Sequence, residues 1–299
     1  MSRLRADGLL LLAAFIWGTA FVAQKYGNDS MTPIMFCGVR FLVSALVLAP
    51  LAYRESRRLR TARPLRLRDG LQALAVGLCL ALAISLQQVG LVTTTATNAG
   101  FLTAIYIAFV PFYSRILQRV PLRFSLLLAC AIVIAGAWLL GGSGGHGWAR
   151  GDALVLGSDF IWALHITLIS KFLATTGRPF FLCLVQYAVT ALVGITGGLL
   201  LEPVAWSAMP HAWLAILYTG VLSGGVAYTL QILAQSHTPA SEAGMILSLE
   251  SVFAALAAAA LLGERLTLMA SLGCALILAG IGMVEANALW EKRARRKNL

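Results

Sequence analysis

GLLLLAAFIWGTAFVAQKY, residues 8–26, is an apolar run of membrane length, and its centre Phe15-Ile16-Trp17 returns as Phe160-Ile161-Trp162. From this pair a second copy can be followed outward at an offset of 144 to 146 residues. Pro33 and Cys37 return as Pro179 and Cys183, Leu86-Gln87 as Leu230-Gln231, Ala99-Gly100 as Ala243-Gly244, and Cys130-Ala131 as Cys274-Ala275. Chance supplies matches of Ala and Leu, but it is a poor source of Trp, Pro, Gln and Cys recurring in order. The chain reads as a duplication with units 1–145 and 146–299.

Composition sets the class. At 59% hydrophobic and 12% charged residues, with mean hydropathy +0.83, the chain has too little polar surface to clothe a water-soluble globule. A hydrocarbon layer about 30 Å thick needs roughly 20 apolar residues in a helix. Ten such spans are expected, near residues 8–26, 32–52, 70–90, 95–117, 124–141, 152–173, 179–200, 212–235, 241–262 and 266–286. The runs are too long and too continuously apolar for membrane strands, which alternate. The expected fold is therefore an all-α membrane protein of ten transmembrane helices. Five spans per copy is an odd number, so the second copy must lie upside down in the bilayer. Inverted repeats of this kind belong to transporters.

The net charge of +11 is explained by orientation. Arg54, Arg57, Arg58, Arg60, Arg63, Arg66 and Arg68 crowd the link between spans two and three. With the N-terminus in the cytoplasm, all of the 23 Lys and Arg except Lys25, Arg40, Arg150 and Arg265 fall on the cytoplasmic side or its edge. The positive-inside rule then places both termini in the cytoplasm, where the basic ends meet anionic membrane lipids. No base-stacking or base-reading motif supports nucleic acid as a partner. The five cysteines lie within spans at neither disulfide nor metal spacing. The first apolar run is repeated internally as span six, so it reads as structure rather than a signal peptide.

Gly141-Gly142-Ser143-Gly144-Gly145-His146-Gly147 marks the link between the copies. Val92 to Thr94 and Ser236 to Ala240 are equivalent tight hairpins, expected on opposite sides of the membrane. They read either as gates at the two mouths of a cavity or as short connections.

Phe15-Ile16-Trp17-Gly18-Thr19-Ala20-Phe21, Asn98-Ala99-Gly100-Phe101-Leu102-Thr103 and Leu262-Gly263-Glu264-Arg265-Leu266-Thr267 together resemble the EamA family of the drug/metabolite transporter superfamily. The resemblance runs over essentially the whole chain. It implies a basket of ten helices around a central cavity opened alternately to either side. It also implies a small metabolite as substrate, with YddG-type exporters of aromatic and other neutral amino acids among the relatives. Sugars, vitamins and quaternary amines are substrates elsewhere in the superfamily. Export of neutral or aromatic amino acids from a monomer in the bacterial inner membrane is the leading expectation. The alternatives are another metabolite or a non-transporting scaffold.

Polar groups inside a bilayer are costly and point to a wet site. Glu250, equivalent to Tyr106, either binds a substrate ammonium or takes up a proton, unless a nearby hydroxyl or Arg40 ties it down. Arg40, equivalent to Gln186, either grips a carboxylate with two parallel hydrogen bonds or snorkels to the surface. Tyr228, Gln231 and Gln235 share one helical face, and Gln87 is the partner of Gln231. These read as cavity wall or as glue between helices. Trp17 and Trp162 lie deep in their spans, suited to stacking on a ligand or to packing. His165 shares the face of Trp162 and reads as a protonation sensor or a core residue. Asn98 and Glu242 read as helix caps. Gly77, Gly220, Gly224 and Gly225 read as points of close approach or bending.

An intramembrane enzyme is disfavoured. Paired aspartates and an HExxH motif are lacking, with Asp159 standing alone in sequence, and the glycine link lacks the lysine of a phosphate loop. No cofactor or metal is expected.

Overall fold

The computed structural model of the chain describes residues 1–59, 64–122, 124–141, 149–203, 206–207, 209–263, 267–269, 271–280 and 282–283. Most of the glycine link, Arg60, Arg63, Arg123, Glu264, Arg265 and the basic tail fall outside them. Helices follow one another along the chain: α1 (Arg3–Ser30), α2 (Pro33–Arg58), α3 (Leu67–Gly90), α4 (Ala96–Thr103), α5 (Tyr106–Gln118), α6 (Phe124–Gly141), α7 (Arg150–Thr176) and α8 (Pro179–Leu201). They continue as α9 (Trp213–Leu217), a π-helical stretch (Tyr218–Ala227), α10 (Tyr228–Gln235), α11 (Ala240–Leu247) and α12 (Glu250–Leu261), then α13 (Ser271–Gly280). No strand occurs among the described residues. Among the described residues, eight stretches are long and apolar enough to cross a membrane: α1, α2, α3, α4 with α5, α7, α8, residues 209–235, and α11 with α12. Shorter apolar helices cover Phe124–Gly136 and Ser271–Gly280.

Two of these stretches are interrupted at equivalent places. Between α4 and α5 the backbone tightens, Ala104 N–H donating to Phe101 O and Ile105 N–H to Leu102 O. Between α11 and α12, Leu249 N–H donates to Ile246 O and Ser251 N–H to Ser248 O. Such i to i+3 bonds keep backbone groups satisfied while redirecting the chain, a common property of hinges. The third interruption has no twin. Tyr218–Ala227 is wound as a π-helix over ten residues, whereas the equivalent part of α3 is regular α-helix.

Contacts across the halves fall into pairs related by the repeat offset. Thus α3 packs on α7 as α1 packs on α10 and the π stretch, α4 packs on α12 as α5 packs on α11, and α2 packs on α8. The α2–α8 pair approaches closely. A Cβ on Gly38 would stand 2.6 Å from the Gly194 carbonyl carbon, and one on Gly194 2.6 Å from Gly38 Cα, so only glycine fits either site. The two helices are antiparallel. Glu202, just past the end of α8, accepts from Ile34 N–H and Met35 N–H at the start of α2, both at 3.0 Å. Glu55 in the last turn of α2 accepts from Phe180 N–H at 3.1 Å and Phe181 N–H at 2.7 Å at the start of α8. Gly77 and Gly220 serve the same kind of approach, against Val189 and the Arg40 carbonyl.

Polarity is inverted relative to a soluble protein. Gln24, Arg40, Gln87, Gln88, Asp159, His165 and Glu250 are buried, while equivalent Leu46 and Leu192 are each 66% exposed. That outer surface suits lipid rather than water.

Both hairpins are tight. Thr94 Oγ1 donates to Asp152 Oδ1 at 2.5 Å, and Lys25 Nζ donates to the Thr94 carbonyl at 2.8 Å. At the equivalent hairpin Thr238 Oγ1 reaches Asp7 Oδ1 at 3.5 Å. Helix capping here differs from the sequence reading. Thr95, not Asn98, caps α4, its hydroxyl accepting the Asn98 N–H at 3.0 Å. Glu242 pairs with Arg3 at 2.7 Å, because the chain start folds beneath α11.

Candidate functional site

A cavity of about 480 Å³, its opening included, lies among the helices at the level of the two tight turns. Its wall carries Trp17, Arg40, Gln87, Tyr106, Trp162, Tyr228, Gln231 and Glu250, drawn from seven helices. Eight of the candidates from the sequence therefore share one space. His165 is fully buried behind the wall, its Nε2 3.0 Å from Gln186 Oε1.

Aromatic rings form one flank. Tyr228 is its centre, with ring centroids 4.6 Å from Trp17, 5.9 Å from Phe41, 6.2 Å from Trp162, 6.3 Å from Tyr187 and 6.4 Å from His165. Trp17 is held from behind, its Nε1–H donating to the Ser223 carbonyl of the π stretch at 3.1 Å. The Ser44 hydroxyl of α2 donates to the Gly220 carbonyl at 2.7 Å, tying that stretch to the helix that carries Arg40.

Arg40 does not snorkel. It is 2% exposed, its guanidinium lying 5.4 Å from the Phe36 ring and 5.3 Å from the Phe41 ring. Its Nη2 meets Cys37 Sγ at 3.7 Å, and Nε has no hydrogen-bond partner among the described residues. No carboxylate lies within ion-pair distance of it among those residues. A guanidinium held only by ring faces and a sulfur has its hydrogen-bonding fork free for an anion.

Glu250 opens α12 directly after the tight turn and is 5% exposed. Neighbouring hydroxyls do not hold it. Ser248 donates to Met245 O and Ser251 to Ser248 O. Among the described residues the carboxyl group has neither an ion pair nor a hydrogen bond, and it lines the cavity.

Amides complete the wall. Gln87 Nε2 donates to Thr103 Oγ1 at 2.8 Å, and the hydroxyl passes the bond to Ala99 O at 2.7 Å. Gln231 Oε1 has no partner among the described residues. Gln235 leaves this face, donating to Ile166 O at 3.3 Å and Ser170 Oγ at 3.4 Å, and so joins α10 to α7. Tyr106 OH reaches Gly244 O at 3.4 Å.

Phe21, Gln24, Ile84, Thr103, Ile166 and Ser223 also line the cavity. Phe21 and Gln24 follow Trp17 at four and seven residues, one stripe of α1, a signal available once Trp17 is chosen. Asp159 is another group that the sequence left unexplained. It is fully buried in α7, with no hydrogen-bond partner for either oxygen among the described residues.

With this geometry in view, residues 4–142 and 149–285 each match the model of the EamA-like transporter family. A protein of Archaeoglobus fulgidus named as an uncharacterized transporter is 31% identical over 95% of this chain and 87% of its own length. Uncharacterized transporter YwfM of Bacillus subtilis is 28% identical over 97% of both chains. A probable amino-acid metabolite efflux pump of Salmonella typhimurium is 29% identical over 93% of this chain and 94% of its own. One solved crystal structure superposes with a TM-score of 0.77 at 18% identity, covering 95% of this chain and 97% of that one; that likeness concerns the fold.

Proposed function

The chain belongs to the EamA-like transporter family, and from that premise we propose that it exports neutral or aromatic amino acids by alternating access. It is a multi-pass membrane transporter rather than an enzyme, and we place it in the bacterial inner membrane with lipid around its apolar surface. The eight long spans and two shorter apolar helices are read as ten crossings. Residues 1–145 and 146–299 form the two units, and antiparallel α2 and α8 are consistent with one being inverted. Both termini then face the cytoplasm with the basic end of α2, and the working unit is a monomer.

One observation supports this substrate class above the others. Arg40 and Glu250, opposite in charge and each without an ionic partner among the described residues, face one aromatic-walled cavity. A zwitterion supplies both missing partners: its carboxylate for Arg40 and its ammonium for Glu250. A side chain that is aromatic or apolar then fits against Trp17, Trp162 and Tyr228. A sugar offers neither an anion to Arg40 nor a cation to Glu250. Gln87, Gln231 and Tyr106 orient the ligand, and His165 acts from behind the wall by fixing Trp162 and Tyr228. The two hairpins serve as the gates, with Thr94–Asp152 and Thr238–Asp7 as their latches.

The test is counterflow in proteoliposomes. Vesicles loaded with unlabelled L-phenylalanine are expected to take up labelled L-phenylalanine faster than protein-free vesicles. Protein that stays folded yet exchanges no member of a neutral amino-acid panel would sink this reading.

A further inference from the structure

A second cleft, about 1070 Å³ with its opening included, lies at the end of the bundle where α2 finishes and α3 begins. Its walls include Arg66, Arg68, Asp69 and Gln72 from the start of α3, and Thr175 and Arg178 from the corner between α7 and α8. It shares no lining residue with the central cavity.

Three guanidinium groups line this cleft against a single carboxylate. Asp69 is already engaged, its Oδ2 accepting Arg66 N–H at 2.9 Å to close the first turn of α3. Arg178 forms the fixed back of the cleft. It is 2% exposed, its Nη2 donates to the Leu59 carbonyl at 2.7 Å, and it interacts electrostatically with Glu55. Arg66 and Arg68 are exposed, and neither is in an ion pair among the described residues. Because α3 starts here, the positive end of its dipole adds to their charge.

Acceptors stand beside these cations. Gln72 Oε1 is buried without a hydrogen-bond partner among the described residues. Thr175 directs its hydroxyl hydrogen to Phe172 O at 2.9 Å, which leaves the oxygen able to accept. The cleft therefore offers cations to a phosphate and acceptors to hydroxyls. One border is apolar: Leu67, Leu71, Leu74 and Leu78 recur at helical spacing along α3 and are 82%, 57%, 41% and 49% exposed. A free phosphate ester would use the arginines alone, whereas a phospholipid uses the arginines and the leucine stripe together.

We propose that this cleft seats one anionic phospholipid. Its phosphate lies among Arg66, Arg68 and Arg178, the hydroxyls of its headgroup meet Gln72 and Thr175, and an acyl chain follows the leucines of α3. The seat does not depend on what the central cavity carries. Since α3 belongs to the first region matched by the family model and the α7–α8 corner to the second, the bound lipid ties the two regions together at one membrane face.

The experiment uses the full chain in uncharged detergent, titrated with phosphatidylglycerol, phosphatidylcholine or glycerol 3-phosphate. Thermal unfolding reads occupancy, and native mass spectrometry counts the lipids retained. Phosphatidylglycerol is expected to raise the thermal midpoint and to leave one tightly held copy, and the other two ligands to do neither. Arg66→Ala combined with Arg68→Ala is expected to weaken phosphatidylglycerol binding roughly 10–50-fold. Arg54→Ala combined with Arg57→Ala removes the same charge from exposed positions outside the cleft and is expected to leave the affinity unchanged.

Equal stabilisation by phosphatidylcholine, or equal weakening in the two double variants, would overturn the proposal, because apolar surface or overall charge then accounts for binding. Glycerol 3-phosphate that stabilises as strongly as the lipid would overturn it in favour of a free phosphate ester. Wild-type protein whose midpoint does not respond to phosphatidylglycerol refutes the seat without recourse to any variant.

Discussion

Thr94 donates its hydroxyl to Asp152 at 2.5 Å, joining the hairpin after α3 to the first turn of α7. The same carboxylate caps that helix, its Oδ2 accepting Ala149 N–H at 2.7 Å. Under the repeat offset this pair becomes Thr238 and Asp7, 3.5 Å apart. The two hairpins thus have matching contacts at unequal lengths.

Thr94→Val is expected to loosen its hairpin far more than Thr238→Val loosens the other. A hydrogen bond to a charged group contributes about 1.5–3 kcal/mol, equivalent to roughly 10–100-fold in local opening. Hydrogen exchange at the amides of residues 91–95 reads the effect directly. Equal changes at both hairpins would contradict the inequality.

Glu55 and Glu202 cap each other's helices, and each places a negative charge at a positive helix end. Glu55→Ala and Glu202→Ala are each expected to lower stability by about 1–2 kcal/mol. They sit at opposite ends of the α2–α8 pair, so the double variant should be near the sum. Unfolding in mixed micelles checks this, and a double variant no worse than either single one would show that the caps are not independent.

Gly38→Ala forces apart two backbones that touch and is expected to cost about 1–3 kcal/mol as overpacking. Gly8→Ala is the control, since a Cβ there meets nothing within 4 Å. A thermal midpoint for Gly38→Ala matching that of Gly8→Ala would refute the close approach.

Much of this was legible in the sequence, for identifiable reasons. The Trp, Pro and Cys pairs recur because the halves share packing positions, and short hairpins between apolar runs leave little freedom for the chain. The tight turns were not legible: Ala104-Ile105 and Ser248-Leu249 are ordinary helix residues, and the redirection comes from neighbours rather than from a Pro or Gly. Tyr218–Ala227 carried only its glycines as a sign, which fit close packing as well as a π-helix. Arg40 was readable as a costly charge, but only the fold decides between cavity and surface.

Arg40→Lys keeps the charge but replaces a planar fork with a point donor. L-phenylalanine half-saturation in counterflow is expected to rise roughly 10–100-fold, the equivalent of one charged hydrogen bond. Competition by aromatic amines lacking a carboxylate should change little. A parallel loss for those amines would remove Arg40 as the carboxylate partner.

Tyr228→Ala removes the ring shared by Trp17, Trp162 and Phe41. Aromatic contacts contribute about 0.5–1.5 kcal/mol beyond the area they bury, so preference for phenylalanine over alanine is expected to fall roughly 2–10-fold. Competition counterflow measures that ratio, and an unchanged ratio would place the ligand's side chain elsewhere.

The tight turn within the fourth helical stretch is common to the two regions that one family model matches. The π-helical winding belongs to the second region alone. Trp17 leans on that winding through the Ser223 carbonyl, whereas Trp162 Nε1 finds no partner among the described residues. The two indoles of the cavity wall therefore answer to backbones of unlike pitch.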